Sequence, residues 1–130
     1  MAKTKRKIPC LIHIALKMPN GDDVDPETIN TFFELFDRHF EGSSDLGTIP
    51  GHWLGLVEPM LRVEVAVPVN RIREFEDLAK RIGRVLKQKV VYVIENYQAN
   101  VRFLQVDPDA EAAGAERQNQ PGPTGEGGAT

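Results

Sequence analysis

The stretch Met60-Leu61-Arg62-Val63-Glu64-Val65-Ala66-Val67 decides the fold. Leu61, Val63, Val65 and Val67 take every second position, and three of them are β-branched. That is the pattern of a strand with one side in a core and the other turned away from it. Arg62, Glu64 and Ala66 fall on the second side. Pro68 cannot donate to a ladder and ends the strand. Such a strand needs neighbours at its edges and a cover for its apolar side, and the flanking sequence supplies both.

Immediately upstream, the run from His52 to Leu56 reads as a shorter strand. Joined to the first through Val57-Glu58-Pro59, it makes Pro50-Gly51-His52-Trp53-Leu54-Gly55 the outer arm of a hairpin. Gly42 to Gly51 is rich in turn-forming residues and reads as a loop. Near the start, Ile12, Ile14 and Leu16 alternate with His13, Ala15 and Lys17, which predicts another strand. Asp25 then stands as a helix N-cap with Pro26 at the first helical position and Glu27 favourable to the dipole. Ile29, Phe32, Phe33, Phe36 and Phe40 recur every three or four residues, so the spacing predicts a helix closing by Gly42. After Pro68, Asn70 is placed to cap a second helix whose buried stripe is Ile72, Phe75, Leu78, Ala79, Ile82 and Leu86. Two further strands follow, KVVYVIE and VRFLQV, separated by the polar turn NYQAN.

The predicted class is α+β, a ferredoxin-like βαββαβ sandwich with one additional C-terminal strand and two helices on one face of an antiparallel sheet. Gly51 and Trp53 in the first hairpin arm, Glu64 in the second, and Gln88 before the next strand resemble a bacterial family of small ferredoxin-like domains of unknown function. The resemblance spans Ile8 to Val106. It implies a fold and brings no activity with it.

The chain of 130 residues is long enough for one core and too short for two. The expected organisation is a flexible basic arm over residues 1–7, the ferredoxin-like domain over 8–106 and a disordered tail over 107–130. The tail has no Val, Ile, Leu or aromatic residue with which to offset the entropy of ordering. Cys10 is the only cysteine, so an internal disulfide is excluded and a reducing, cytoplasmic location is expected. No run reaches the roughly 20 apolar residues of a membrane span.

Catalytic signatures are missing: the chain has no GxSxG, no glycine-rich phosphate loop and no HExxH. Cys10 and His13 have a C-x-x-H spacing, but on a strand they face opposite sides and cannot share an ion. No metal or cofactor is expected. The informative surface is the side of the sheet away from the helices, where alternation places His13, Lys17, Arg62, Glu64, Tyr92 and Arg102 beside Leu11 and Leu104. His52 and Trp53 join these candidates from the hairpin arm.

The expected role is a small binding domain that self-associates as a homo-oligomer through that face, with Arg62 and Glu64 paired by charge. One alternative is a small enzyme or anion-binding protein, with His13 or Glu64 as acid or base and Arg62 gripping a carboxylate. Another is a nucleic-acid module using the basic arm, a weaker prospect because only Tyr92 offers a ring for stacking. Charge is divided along the chain. Residues 22–45 hold eight acids against Arg38, and residues 71–89 hold seven bases against Glu74, Glu76 and Asp77. Side by side, the two helices would attract each other.

Overall fold

A computed structural model describes residues 6–105. Residues 1–5 of the basic arm, residue 106 and the whole tail, 107–130, lie outside the described residues. The elements run β1 (Lys7–Ala15), α1 (Pro26–Phe40), β2 (Ser44–Trp53), β3 (Leu56–Pro68), α2 (Ile72–Val85) and β4 (Tyr92–Glu95), with one 3-10 turn at Val69–Arg71. The four strands form one antiparallel sheet in the order β2-β3-β1-β4.

Alternation does what the sequence requires of it. Ile8, Cys10, Ile12 and Ile14 of β1 and Leu61, Val63, Val65 and Val67 of β3 are buried on one side of the sheet. They pack with Phe32, Phe36 and Phe40 of α1 and Phe75, Leu78 and Ile82 of α2 in a single core. Both helices therefore cover the same face, and the other face is left open. Helix α1 starts as predicted, with the Asp25 carboxylate accepting from the Glu27 N–H at 3.0 Å. It stops at Glu41, which adopts the left-handed conformation at φ 67°. Helix α2 differs at its start: Asn70 makes no cap, and the chain enters through the 3-10 turn to Arg71, which has no side-chain capping bond either.

Four sequence expectations about the strands are corrected. The supposed loop Gly42 to Gly51 is mostly strand, because β2 begins at Ser44 and absorbs its irregularity in a bulge between Asp45 and Thr48. Gly47 supplies the bulge with φ 93°, and its N–H donates to the Asp45 side chain at 2.8 Å. The hairpin turn is Leu54-Gly55, with φ 49° and 81°, and Val57-Glu58-Pro59 lies within β3. Two consecutive positive φ values match the twist of a two-residue hairpin. Among the described residues the additional C-terminal strand is absent: Val101 makes one isolated bridge to Lys7, and residues 102–105 are irregular. The Asn96 N–H donates to the Pro9 carbonyl at 3.2 Å and the Val101 N–H to the Lys7 carbonyl at 2.7 Å, and Pro9, with no N–H of its own, adds no further bond between them. The run KVVYVIE likewise shortens to Tyr92–Glu95. Gln88 turns the chain out of α2, its N–H donating to the Gly83 carbonyl at 2.9 Å.

The two helices are linked opposite to their overall charge. The Glu74 carboxylate of α2 and His39 Nδ1 of α1 share a hydrogen bond at 2.6 Å.

Candidate functional site

The register of the sheet assembles the open face row by row. Opposite residues of antiparallel strands point to the same side, and Arg62, His13 and Tyr92 stand opposite one another across β3, β1 and β4. The next row is Ser44, Glu64, Leu11 and Ile94. His13 and Tyr92 stack with ring centroids 4.5 Å apart. Tyr92 is 57% exposed, whereas His13, Arg62, Glu64, Leu11 and Ile94 are half-buried.

Two polar atoms on this face lack partners: His13 Nε2 and Arg62 Nε are both buried and make no hydrogen bond. A donor or acceptor in that state carries a desolvation cost that nothing within the monomer offsets. Burial, followed by the nearby Arg62 cation, holds the His13 pKa below its ordinary value, so the ring stays neutral more readily. The expected charge pairing is corrected: among the described residues, no ion pair joins Arg62 to Glu64. Neighbours two apart on one strand point the same way about 7 Å apart, too far for close contact unless both side chains lean together.

The remaining candidates lie elsewhere. Lys17 is past the end of β1, tied to Asp23 at 2.6 Å across the turn before α1. Arg102 is exposed in the irregular segment after Val101. His52 is exposed in the β2–β3 ribbon opposite Val57. Trp53 pairs with Leu56 in the register, and its side chain lies outside the described residues. Sequence reasoning overlooked Ile94 and Met60 on the open side, although the same period-two count, started from Tyr92 and Arg62, reaches both.

Two cavities flank the sheet. One, of about 520 Å³, lies between α2 and the connection to β4, with Val91 and Val93 in its floor and Lys80, Arg84 and Lys89 at its rim. The other, of about 330 Å³, lies at the lower end of the open side among Lys7, Phe40, Glu64, Ala66, Val101 and Phe103. There the Lys7 ammonium sits 4.9 Å from the centre of the Phe103 ring, which is 74% exposed. Arg6 is held as well, donating to Asn100 Oδ1 and to the Tyr97 carbonyl. Cys10 faces the core, and burial pushes its thiol up to about 12, far from a reactive thiolate.

Among the described residues, no group of three or more His, Cys, Asp or Glu side chains could hold a metal ion, and no helix is long and apolar enough to cross a membrane. Compared with known proteins, the chain matches no family model, no curated protein and no solved structure.

Proposed function

We propose that this is a ferredoxin-like binding module that self-associates through its open sheet face. The fold assignment is supported by the alternation of strands and helices and by the insertion of β3 between β1 and β2. It also accords with the resemblance carried by Gly51, Trp53, Glu64 and Gln88. The observation that carries the functional reading is the pair of buried, unpartnered atoms His13 Nε2 and Arg62 Nε, set among the half-buried Leu11 and Ile94 and the exposed Tyr92. A second copy over this face supplies polar partners and removes apolar surface from water at the same time. A small anion held by Arg62 is the second reading. The same unpartnered atoms favour it, yet neither cavity is lined by His13, Arg62 or Tyr92.

The test is sedimentation of the full chain and of Leu11→Glu, which puts a charge in the middle of the face. A dimer in the wild type that dissociates in the variant is the expected result. A monomeric wild type at micromolar concentration overturns the reading. Phosphate added to such a monomer then tests the second: a raised unfolding midpoint in the wild type, absent in Arg62→Gln, favours it.

A further inference from the structure

The β2–β3 ribbon projects beyond the sheet. Strand β1 ends at Ala15 opposite Met60, and after one further hydrogen bond from the Leu16 N–H to the Pro59 carbonyl the ribbon out to the turn and back is two-stranded. Its tip is costly in two ways. Leu54 adopts φ 49°, a conformation that suits Asn or Gly far better than a branched side chain, and it is 86% exposed. Leu56 and Val57 beside it are also exposed, at 60% and 61%. A turn selected only to reverse the chain would carry neither cost.

Strand β3 runs without a bulge from Leu56 to Pro68, so Leu56, Glu58 and Met60 share the side of Arg62, Glu64 and Ala66. Met60 lies midway between Glu58 and Arg62, two residues away on either side. Toward the tip, Leu56 is four residues from Met60, roughly 13 Å, and the Leu54-Gly55 turn caps the ribbon just beyond it; in the other direction Glu64 and Ala66 are four and six residues away, roughly 13 and 20 Å. Ala66 lines the cavity of about 330 Å³, which also presents Val101 and Phe103. Among the described residues, neither Glu58 nor Arg62 takes part in an ion pair.

Resting on the reading of the open face as a self-association surface, we propose that two copies meet about a two-fold axis close to Met60, each laying its ribbon along β3 of the other. Glu58 then meets Arg62 of the partner subunit, and Leu54 enters the cavity beside Ala66 of the partner subunit. Two-fold symmetry forms each contact twice. An axis near Val63 would pair Arg62 with Glu64 of the partner subunit, but it carries the ribbon tip past the end of the partner's strand and leaves Leu54 in water.

Sedimentation equilibrium of the full chain tests the register. Glu58→Arg and Arg62→Glu are each expected to weaken the wild-type dimer by about tenfold or more, and the double variant to return to within about threefold of wild type. Leu54→Asn, which suits the left-handed turn, is expected to weaken the dimer while the chain stays folded by circular dichroism. A wild-type dimer that Leu11→Glu breaks, but that Glu58→Arg and Leu54→Asn leave unmoved, overturns this inference and preserves the open-face reading. Rescue of Arg62→Glu by Glu64→Arg instead of Glu58→Arg overturns the register. A wild type that is monomeric at micromolar concentration overturns both.

Discussion

Glu74 of α2 accepts from His39 Nδ1 of α1 at 2.6 Å, and Arg71 grips the same carboxylate with two nitrogens at 2.9 and 2.8 Å. The Arg71 guanidinium also lies 5.0 Å from the centre of the Phe40 ring. The cluster ties the end of the first helix to the beginning of the second, where α2 has no capping side chain of its own.

The hydrogen bonds from Arg71, and then from His39, hold the Glu74 carboxyl down to about 2, against an ordinary value of 4.5. A depressed carboxyl pKa gives stability that is present above 4.5 and lost as pH falls toward 2, because the unfolded chain takes up its proton first. Glu74→Gln is therefore expected to lower the unfolding midpoint at neutral pH, with wild type and variant converging near pH 2. The cluster is partly exposed, so the loss should not exceed about 1 kcal/mol. Thermal unfolding of both proteins between pH 2 and 7 checks the direction and the convergence.

Gly83 lies where the chain returning from α2 presses on the helix. A methyl group built there would stand 2.4 Å from Val91 Cγ2. Gly83→Ala should cost about 1–3 kcal/mol by overpacking, even though alanine is the better helix former. Val91→Ala in the same chain should recover part of that loss. A double-mutant cycle in urea measures the coupling, and additive effects would show that Val91 is not the obstruction.

His13→Phe keeps an aromatic ring against Tyr92 and removes the unpartnered Nε2. At pH 7 the variant should equal or exceed the wild type in stability by about 1 kcal/mol. Burial lowers the wild-type His13 pKa below 6.5, so wild-type stability should decline as pH falls through that value, since the unfolded state binds the proton more readily. The variant should lose that part of the slope. Unfolding curves at pH 5, 6 and 7 separate the two behaviours.

Periodicity reveals elements whose apolar side is regular, and it fails where a strand has no such side. The phenylalanine stripe of α1 and the valines of β3 were legible because one face of each is fully buried. The beginning of β2 was not, because Ser44, Asp45 and Gly47 carry no alternation and the bulge shifts the register within it. The turn was misplaced for a related reason: Leu54-Gly55 lacks the usual Asn at its first position, while Pro59 mimics a chain reversal from inside a strand. Of the candidate site, parity brought His13 and Arg62 together correctly. It failed for Lys17, where counting continued past the end of β1 into a turn. The Glu74 and Glu95 contacts depend on which residues of α2 meet which ends of other elements, and no local pattern encodes that.

Glu95 is opposite Cys10 on the helix-facing side of β4, and its Oε2 is buried without a partner. Burial raises its pKa first, and the neighbouring Glu76 of α2 raises it further, since two carboxylates at one site resist ionising together. For a carboxyl whose folded pKa is raised, stability is fully present below 4.5 and declines as pH rises through the folded value. Glu95→Gln keeps the shape, removes the charge and supplies an N–H that Glu76 can accept. It should therefore match the wild type at pH 4 and exceed it at pH 8, with the gap opening between. Glu76→Gln should produce the same divergence from the other side of the contact. Thermal midpoints of the three proteins at pH 4 and pH 8 provide the measurement. A Glu95→Gln variant that is less stable than the wild type at pH 8 would show that the ionised carboxylate holds β4 to α2.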